Sequence, residues 1–215
     1  MLDRTAPKEL TREPENPLWA LASTAAPVML LGFFAMNHLS HWVQTGNIVG
    51  VGLAVQETVL VALFLIRRTP NVAKNTFTAW TAALIGTFGV MLVLPDGHVV
   101  FGAGNIYTAV QIVGALLVTA AVLSLGRSFG LVAANRGVKT TGAYAVVRHP
   151  IYASYLVGYL GYFLAAASIW NFAVIGIALA FQVKRIHIEE SLLMEDPEYR
   201  EYAASVRYRI IPGIY

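Results

Sequence analysis

Two short stretches of this chain hold most of the residue types that could bind or transfer a chemical group. The first, Arg136-Gly137-Val138-Lys139-Thr140-Thr141-Gly142-Ala143-Tyr144-Ala145-Val146-Val147-Arg148-His149-Pro150-Ile151-Tyr152, collects three cations, a histidine and two tyrosines. The second, Lys184-Arg185-Ile186-His187-Ile188-Glu189-Glu190, places Arg185 four residues before Glu189, so on a helix the two share one face. A guanidinium grips a carboxylate or phosphate in bidentate fashion, and a carboxylate pairs with an ammonium. An aromatic face favours an onium cation. Pro150 can open a helix at its first turn, which leaves backbone N–H groups nearby for a ligand. The plainer alternative is that Arg148 and Arg185 anchor helix ends at lipid headgroups, with Glu189 as a surface partner of Arg185. For any one of these residues that alternative is at least as good. With no cysteine in the chain, disulfides, thiolate metal sites and a cysteine nucleophile are excluded.

The scaffold that must position these groups is announced by composition. Of 215 residues, 57% are hydrophobic and only 13% are charged, with a mean hydropathy of +0.61. A soluble domain carries about 25% charged residues, so this chain could not cover its own surface in water. Disorder, a nucleic-acid partner and a disulfide-stapled secreted domain are set aside. The reading is an all-α, polytopic integral membrane protein. The first 18 residues form a polar tail with no apolar run, so no cleavable signal peptide is expected.

A bilayer-crossing helix needs roughly 20 mostly apolar residues. Four stretches qualify, at about 18–37, 47–66, 77–94 and 106–125. A fifth apolar region, 151–187, is too long for one crossing and nearly splits at 165–171, which predicts a tight helical hairpin with a slightly short first arm. The sequence is polar again from Glu189 to Arg209, where short cytoplasmic helices are expected. Residues 1–125 are read as tail and four spans, and 126–215 as the part that carries the chemistry.

All fifteen Lys and Arg residues fall in the N-terminal tail, the second and fourth connections, or the C-terminal part. The connections at about 38–46, 95–105 and 165–170 have none. The positive-inside rule then puts both termini and every basic connection in the cytoplasm, across the inner membrane if the cell is prokaryotic. Antiparallel hairpin arms bring their outer ends together, so Arg148, His149 and Tyr152 should lie near Arg185 and Glu189 at the membrane surface.

Other features have structural readings. Pro27 falls inside the first span, where neighbouring helices tolerate a kink. Gly32, Gly86, Gly89, Gly114, Gly158 and Gly161 offer close-packing surfaces. Glu57, mid-span, is an ionisable group in a costly place; a hydrogen-bonded contact between helices is favoured over a functional role. His38, His41 and His98 lack a helical ligand spacing and read as surface histidines, so no metal is expected. Trp19, Trp42 and Trp170 lie near span boundaries and fit an aromatic belt.

The ordered set Gly142-Ala143-Tyr144, Arg148-His149-Pro150-Ile151-Tyr152, Glu189-Glu190-Ser191-Leu192-Leu193, then Tyr199 through Tyr202 to Pro212, resembles the membrane-embedded isoprenylcysteine carboxyl methyltransferases and their phospholipid methyltransferase relatives. The resemblance covers roughly 126–212. It implies methyl transfer from S-adenosylmethionine to a lipophilic acceptor, such as a prenylcysteine-like carboxylate or a lipid amine, with no Rossmann sheet and no metal. By position it implies a cofactor pocket lined by Arg136, Gly137, Val138, Lys139 and Tyr144. His149, Pro150, Ile151 and Tyr152 would continue that pocket, and Glu189 would close it. Arg185 would face the substrate, with Arg148 as a second catalytic candidate. Two departures bear on the substrate pocket: the segment between Glu190 and Tyr199 is about two residues short, and Ala153-Ser154 stands where many relatives have glycine. An NADPH-dependent sterol-type reductase shares a related Arg-His-Pro-x-Tyr element, but typically follows the tyrosine with Gly-Glu. A non-catalytic membrane binding protein of the same fold is the third reading.

Overall fold

The computed structural model describes residues 17–70, 72–94, 97–100 and 104–215. The tail with Arg4, Lys8 and Arg12, the side chain of Trp19, and Gly102 lie outside the described residues. Long apolar runs fold as helices because a bilayer leaves no other partner for their backbone groups. In chain order these are α1 (Pro17–Thr45), α2 (Ile48–Ile66), α3 (Phe77–Phe88), α4 (Gly104–Leu125), α5 (Pro150–Ala165), α6 (Ile169–Leu193) and α7 (Pro197–Ser205). Polar residues start several of them: Asn47, Thr76, Ser168 and Asp196 each accept a first-turn N–H of the helix that follows.

Among the described residues, three helical stretches are long and apolar enough to cross a membrane: Ile48–Ile66, Ile106–Ser128 and Ile169–Leu193. Their outward faces carry Leu65, Leu116 and Ile177, each more than half exposed, as lipid-facing positions should. The third apolar stretch falls short of the expected full span. It is α-helical for only 12 residues and then tightens into a 3-10 turn, Gly89–Leu92. The expectation of an all-helical chain also needs an amendment. Two short strands, β1 (Val72–Ala73) and β2 (Ala134–Asn135), pair antiparallel, with Val72 opposite Asn135.

The region 151–187 does divide, at 166–168, but its arms are not packed tightly on each other. α5 lies mainly along α4, and α6 along α3, with α1 on α2 and α2 on α4. The reason is steric. A Cβ on Gly114 of α4 would come 2.7 Å from Gly158 Cα of α5, so only glycine lets these two backbones meet. Gly32, by contrast, faces open space and packs nothing. The splayed arms leave room between them, and α2, α3 and α4 close it off around Leu60, Phe64, Val122 and Phe129.

The two ends of the bundle differ in charge. At one, His98 and Ala167 exchange backbone hydrogen bonds, and the buried Asn171 side chain bonds both Leu94 backbone groups. No Lys or Arg lies in these connections. At the other, Arg68 N–H donates to Arg127 O, Lys74 N–H to Ala133 O, and Lys74 Nζ to Ser191 Oγ. The basic connections therefore come together in space as they did in the sequence. Three crossing-competent helices with lipid-facing apolar surfaces make this an integral membrane protein.

Candidate functional site

The site lies at the basic end, where the start of α5 meets the last turns of α6. Pro150 occupies the first position of α5, preceded by His149 with no side-chain cap. The C-terminal segment is laid against this start, with Arg148 N–H donating to Tyr208 O and His149 N–H to Arg209 O.

Adjacent carboxylates on α6 organise two separate networks. Glu190, almost fully buried, accepts Arg148 Nε at 2.7 Å and Arg209 Nε at 2.6 Å, and lies 3.3 Å from His149 Nε2. Arg148 Nη1 also donates to the carbonyls of Val206 and Arg207 at 3.0 and 2.9 Å. This cluster ties α5, α6 and the C-terminal segment together, and it raises the pKa of Arg209 through its bond to Glu190.

Glu189 faces the other way. Its Oε1 accepts Tyr152 Oη at 2.5 Å and Arg185 Nε at 3.0 Å. Its Oε2 lies 3.8 Å from His149 Nδ1, beyond hydrogen-bonding length. Arg185 reaches across the cleft between the hairpin arms. Nη1 donates to Thr87 Oγ1 at 2.8 Å, Nη2 to Gly130 O at 3.3 Å, and the guanidinium lies 5.3 Å from the centre of the Tyr152 ring. Each terminal nitrogen keeps a second N–H. Both Arg148 and Arg185 are buried within the protein, so neither is a headgroup anchor.

These groups surround a cavity of about 130 Å³. Its wall includes Arg136, Gly137, Val138, Lys139, Tyr144, Arg148, His149, Ile151, Tyr152, Arg185 and Glu189, which are all of the residues expected from sequence except Pro150. Pro150 opens α5 behind that wall. The strip 136–139 is shaped locally: Gly137 has φ +96°, its N–H donates to Asn135 Oδ1, and Ser128 Oγ donates to Arg136 O. Gly130 leaves no room for a Cβ because the Arg136 guanidinium lies across it.

Tyr144, Tyr199 and Tyr202 pack together on one side, with Tyr202 Oη donating to Tyr144 O at 2.7 Å. Burial, reinforced by the charge of Glu189, raises the Tyr144 pKa well above the usual tyrosine value. Burial pushes Tyr202 up to about 12, with Arg148 opposing and Glu190 adding to the rise. The Tyr199 hydroxyl is buried and has no hydrogen-bond partner among the described residues, although its side chain lines the cavity. A buried hydroxyl without a partner is costly, and a ligand acceptor would satisfy it.

The wall also holds Thr87, Gly130 and Tyr155, which sequence reasoning did not single out, and Tyr199, which it quoted in the motif set without a role in the pocket. Thr87 and Gly130 carry no motif and are recruited only by packing. Tyr155 had a visible signal, since Tyr152, Tyr155, Tyr159 and Tyr162 recur at helical spacing. His38, read as a surface residue, instead bonds Glu57 at 2.9 Å through Nδ1, which is the interhelical contact favoured for Glu57.

No curated protein matches the chain. Residues 97–197 match the family model for phospholipid methyltransferases, in agreement with the resemblance carried by the ordered motifs.

Proposed function

We propose that this protein is an integral membrane methyltransferase that uses S-adenosylmethionine to methylate a lipophilic acceptor, either a prenylcysteine-like carboxylate or a lipid amine. The observation that carries the reading is the cavity itself: one uncommitted oxygen of Glu189 and the orphan hydroxyl of Tyr199 meet the 136–139 strip and the rings of Tyr144 and Tyr152. That donor and acceptor set fits the cofactor. Glu189 would pair its ammonium, Tyr199 would donate to one of its acceptors, and the tyrosine faces would favour its sulfonium. Arg136, Gly137, Val138, Lys139, His149, Pro150, Ile151 and Tyr152 complete the proposed cofactor surface. Residues 126–215 carry these groups on a support supplied by 1–125.

When bound, the cofactor would supply an electrophilic methyl group for in-line displacement, its methyl carbon–sulfur bond breaking as the bond to the acceptor forms and a neutral thioether leaving. The protein's part is alignment and exclusion of water, which can contribute much of the acceleration. Arg185 uses its remaining N–H groups to hold an acceptor carboxylate or phosphate. Arg148, committed to Glu190 and two backbone carbonyls, positions the start of α5 rather than touching substrate. Both termini and the basic connections face the cytoplasm, across the inner membrane in a prokaryote.

The family match and Ala153-Ser154 after Tyr152 speak against the reductase alternative. Calorimetry on the detergent-solubilised protein tests the choice: S-adenosylmethionine is expected to bind, and NADPH is not. Glu189→Ala is expected to weaken cofactor binding by about 1.5–3 kcal/mol, the worth of a charged hydrogen bond. Unchanged affinity in a folded Glu189→Ala protein would remove Glu189 from the cofactor site.

A further inference from the structure

A second and larger cavity, of about 550 Å³, lies deeper in the bundle between α1, α2, α4 and α5. It shares Leu31, Leu60, Thr87, Phe88 and Tyr155 with the cavity just described, so the two form neighbouring chambers with a common wall. Its lining is mainly apolar at the shared wall, with Leu31, Leu60 and Phe88, and farther from that wall along α1, α2 and α4 it includes Glu57, His38, Gln56 and Gln111. Glu57 is 5% exposed, its Oε2 bonds His38 Nδ1, and its Oε1 has no partner among the described residues. The lining contains no Lys or Arg.

A chamber that served only to hold an alkyl or prenyl tail would gain nothing from a carboxylate, because burying a polar group without a partner is unfavourable. We infer that this chamber is the distal half of the acceptor site, and that it selects a lipophilic acceptor with a hydrogen-bond donor, hydroxyl or ammonium, at the end remote from its methylated atom. The donor fills the open valence of Glu57, while the chain between the two polar ends packs against Leu60, Phe88 and Tyr155. The inference rests on the methyltransferase reading. It adds that selectivity for the far end of the substrate resides in α1 and α2, outside the segment that matches the family.

The test uses the full chain in detergent with three probes of equal chain length: dodecanoate, 12-hydroxydodecanoate and 12-aminododecanoate. The hydroxy acid and the amino acid are expected to bind the wild type about ten-fold more tightly than dodecanoate, equivalent to about 1.4 kcal/mol. Glu57→Leu is expected to abolish that preference while S-adenosylmethionine affinity is unchanged, which also shows that the variant is folded. Glu57→Gln, a milder change, separates the donors: it is expected to keep the hydroxy-acid preference if the site takes a hydroxyl, and to lose the amino-acid preference if it takes an ammonium. Equal binding of all three probes to the wild type, or a preference that survives in Glu57→Leu, overturns the inference. Failure of the wild type to bind S-adenosylmethionine, with the probe preference intact, would instead overturn the methyltransferase reading alone.

Discussion

Replacing Arg185 by lysine separates an acceptor clamp from a structural cation. In the folded protein the guanidinium makes three directed contacts at once: Glu189 at 3.0 Å, Thr87 at 2.8 Å and Gly130 O at 3.3 Å. It also lies against the Tyr152 ring at 5.3 Å. Lysine keeps the charge but carries its three N–H donors on one atom at the end of a flexible stem, so it does not span the separate positions of Glu189, Thr87 and an acceptor oxyanion as the planar fork does. If one charged hydrogen bond to the acceptor is lost in the transition state, the barrier rises by about 1.5–3 kcal/mol. At about 1.4 kcal/mol per decade, turnover falls roughly ten- to 150-fold. Cofactor affinity should change little, because Glu189 Oε2 is untouched. The assay measures initial rates of label transfer from methyl-labelled S-adenosylmethionine into an acceptor panel of prenylcysteines and aminophospholipids, with the protein in nanodiscs. Calorimetric cofactor affinity is taken on the same preparation. Turnover near the wild-type value with normal cofactor binding would refute the clamp, and the acceptor's anchor would then be sought at Arg136 or Lys139 in the same wall.

Other consequences follow from the same geometry. Glu190→Gln removes the charge that Arg148 and Arg209 share, and leaving a buried arginine uncompensated should lower stability by about 3 kcal/mol, read as a reduced melting temperature in detergent; an unchanged melting point would mean that the network contributes nothing net. In sealed cells, a cysteine at exposed Ser40 should be labelled from outside and one at exposed Thr140 should not; the opposite pattern inverts the topology. Tyr202 keeps its proton in the folded state up to about pH 12, against roughly 10 when unfolded. A raised folded value makes its contribution complete below pH 10 and lost as the pH climbs through about 12, so Tyr202→Phe should blunt alkaline unfolding and leave the pH dependence between 6 and 9 unaltered.

Much of this protein was legible in one dimension. Membrane insertion follows from composition, because 13% charged residues cannot solvate a surface. The gathering of basic connections at one end follows from their alternation along the chain. The meeting of Arg185 with Glu189 follows from helical periodicity, and that of Tyr152 with Glu189 from the return of the hairpin. These are local or topological properties, so spacing alone carries them. Tertiary structure decided the rest. Close approach of α4 and α5 at Gly114 and Gly158 pulled the hairpin arms apart, and that separation opened the site. It turned Arg185 toward Thr87 and Gly130, which no motif marks. It also gave two neighbouring glutamates opposite tasks: Glu190 became the partner of three side chains, while Glu189 kept an oxygen without a hydrogen bond. Glu57 likewise acquired His38 as a neighbour only when α1 packed on α2. Sequence spacing fixes which residues share a helix face, but which side chain meets an open valence depends on how helices distant in sequence pack.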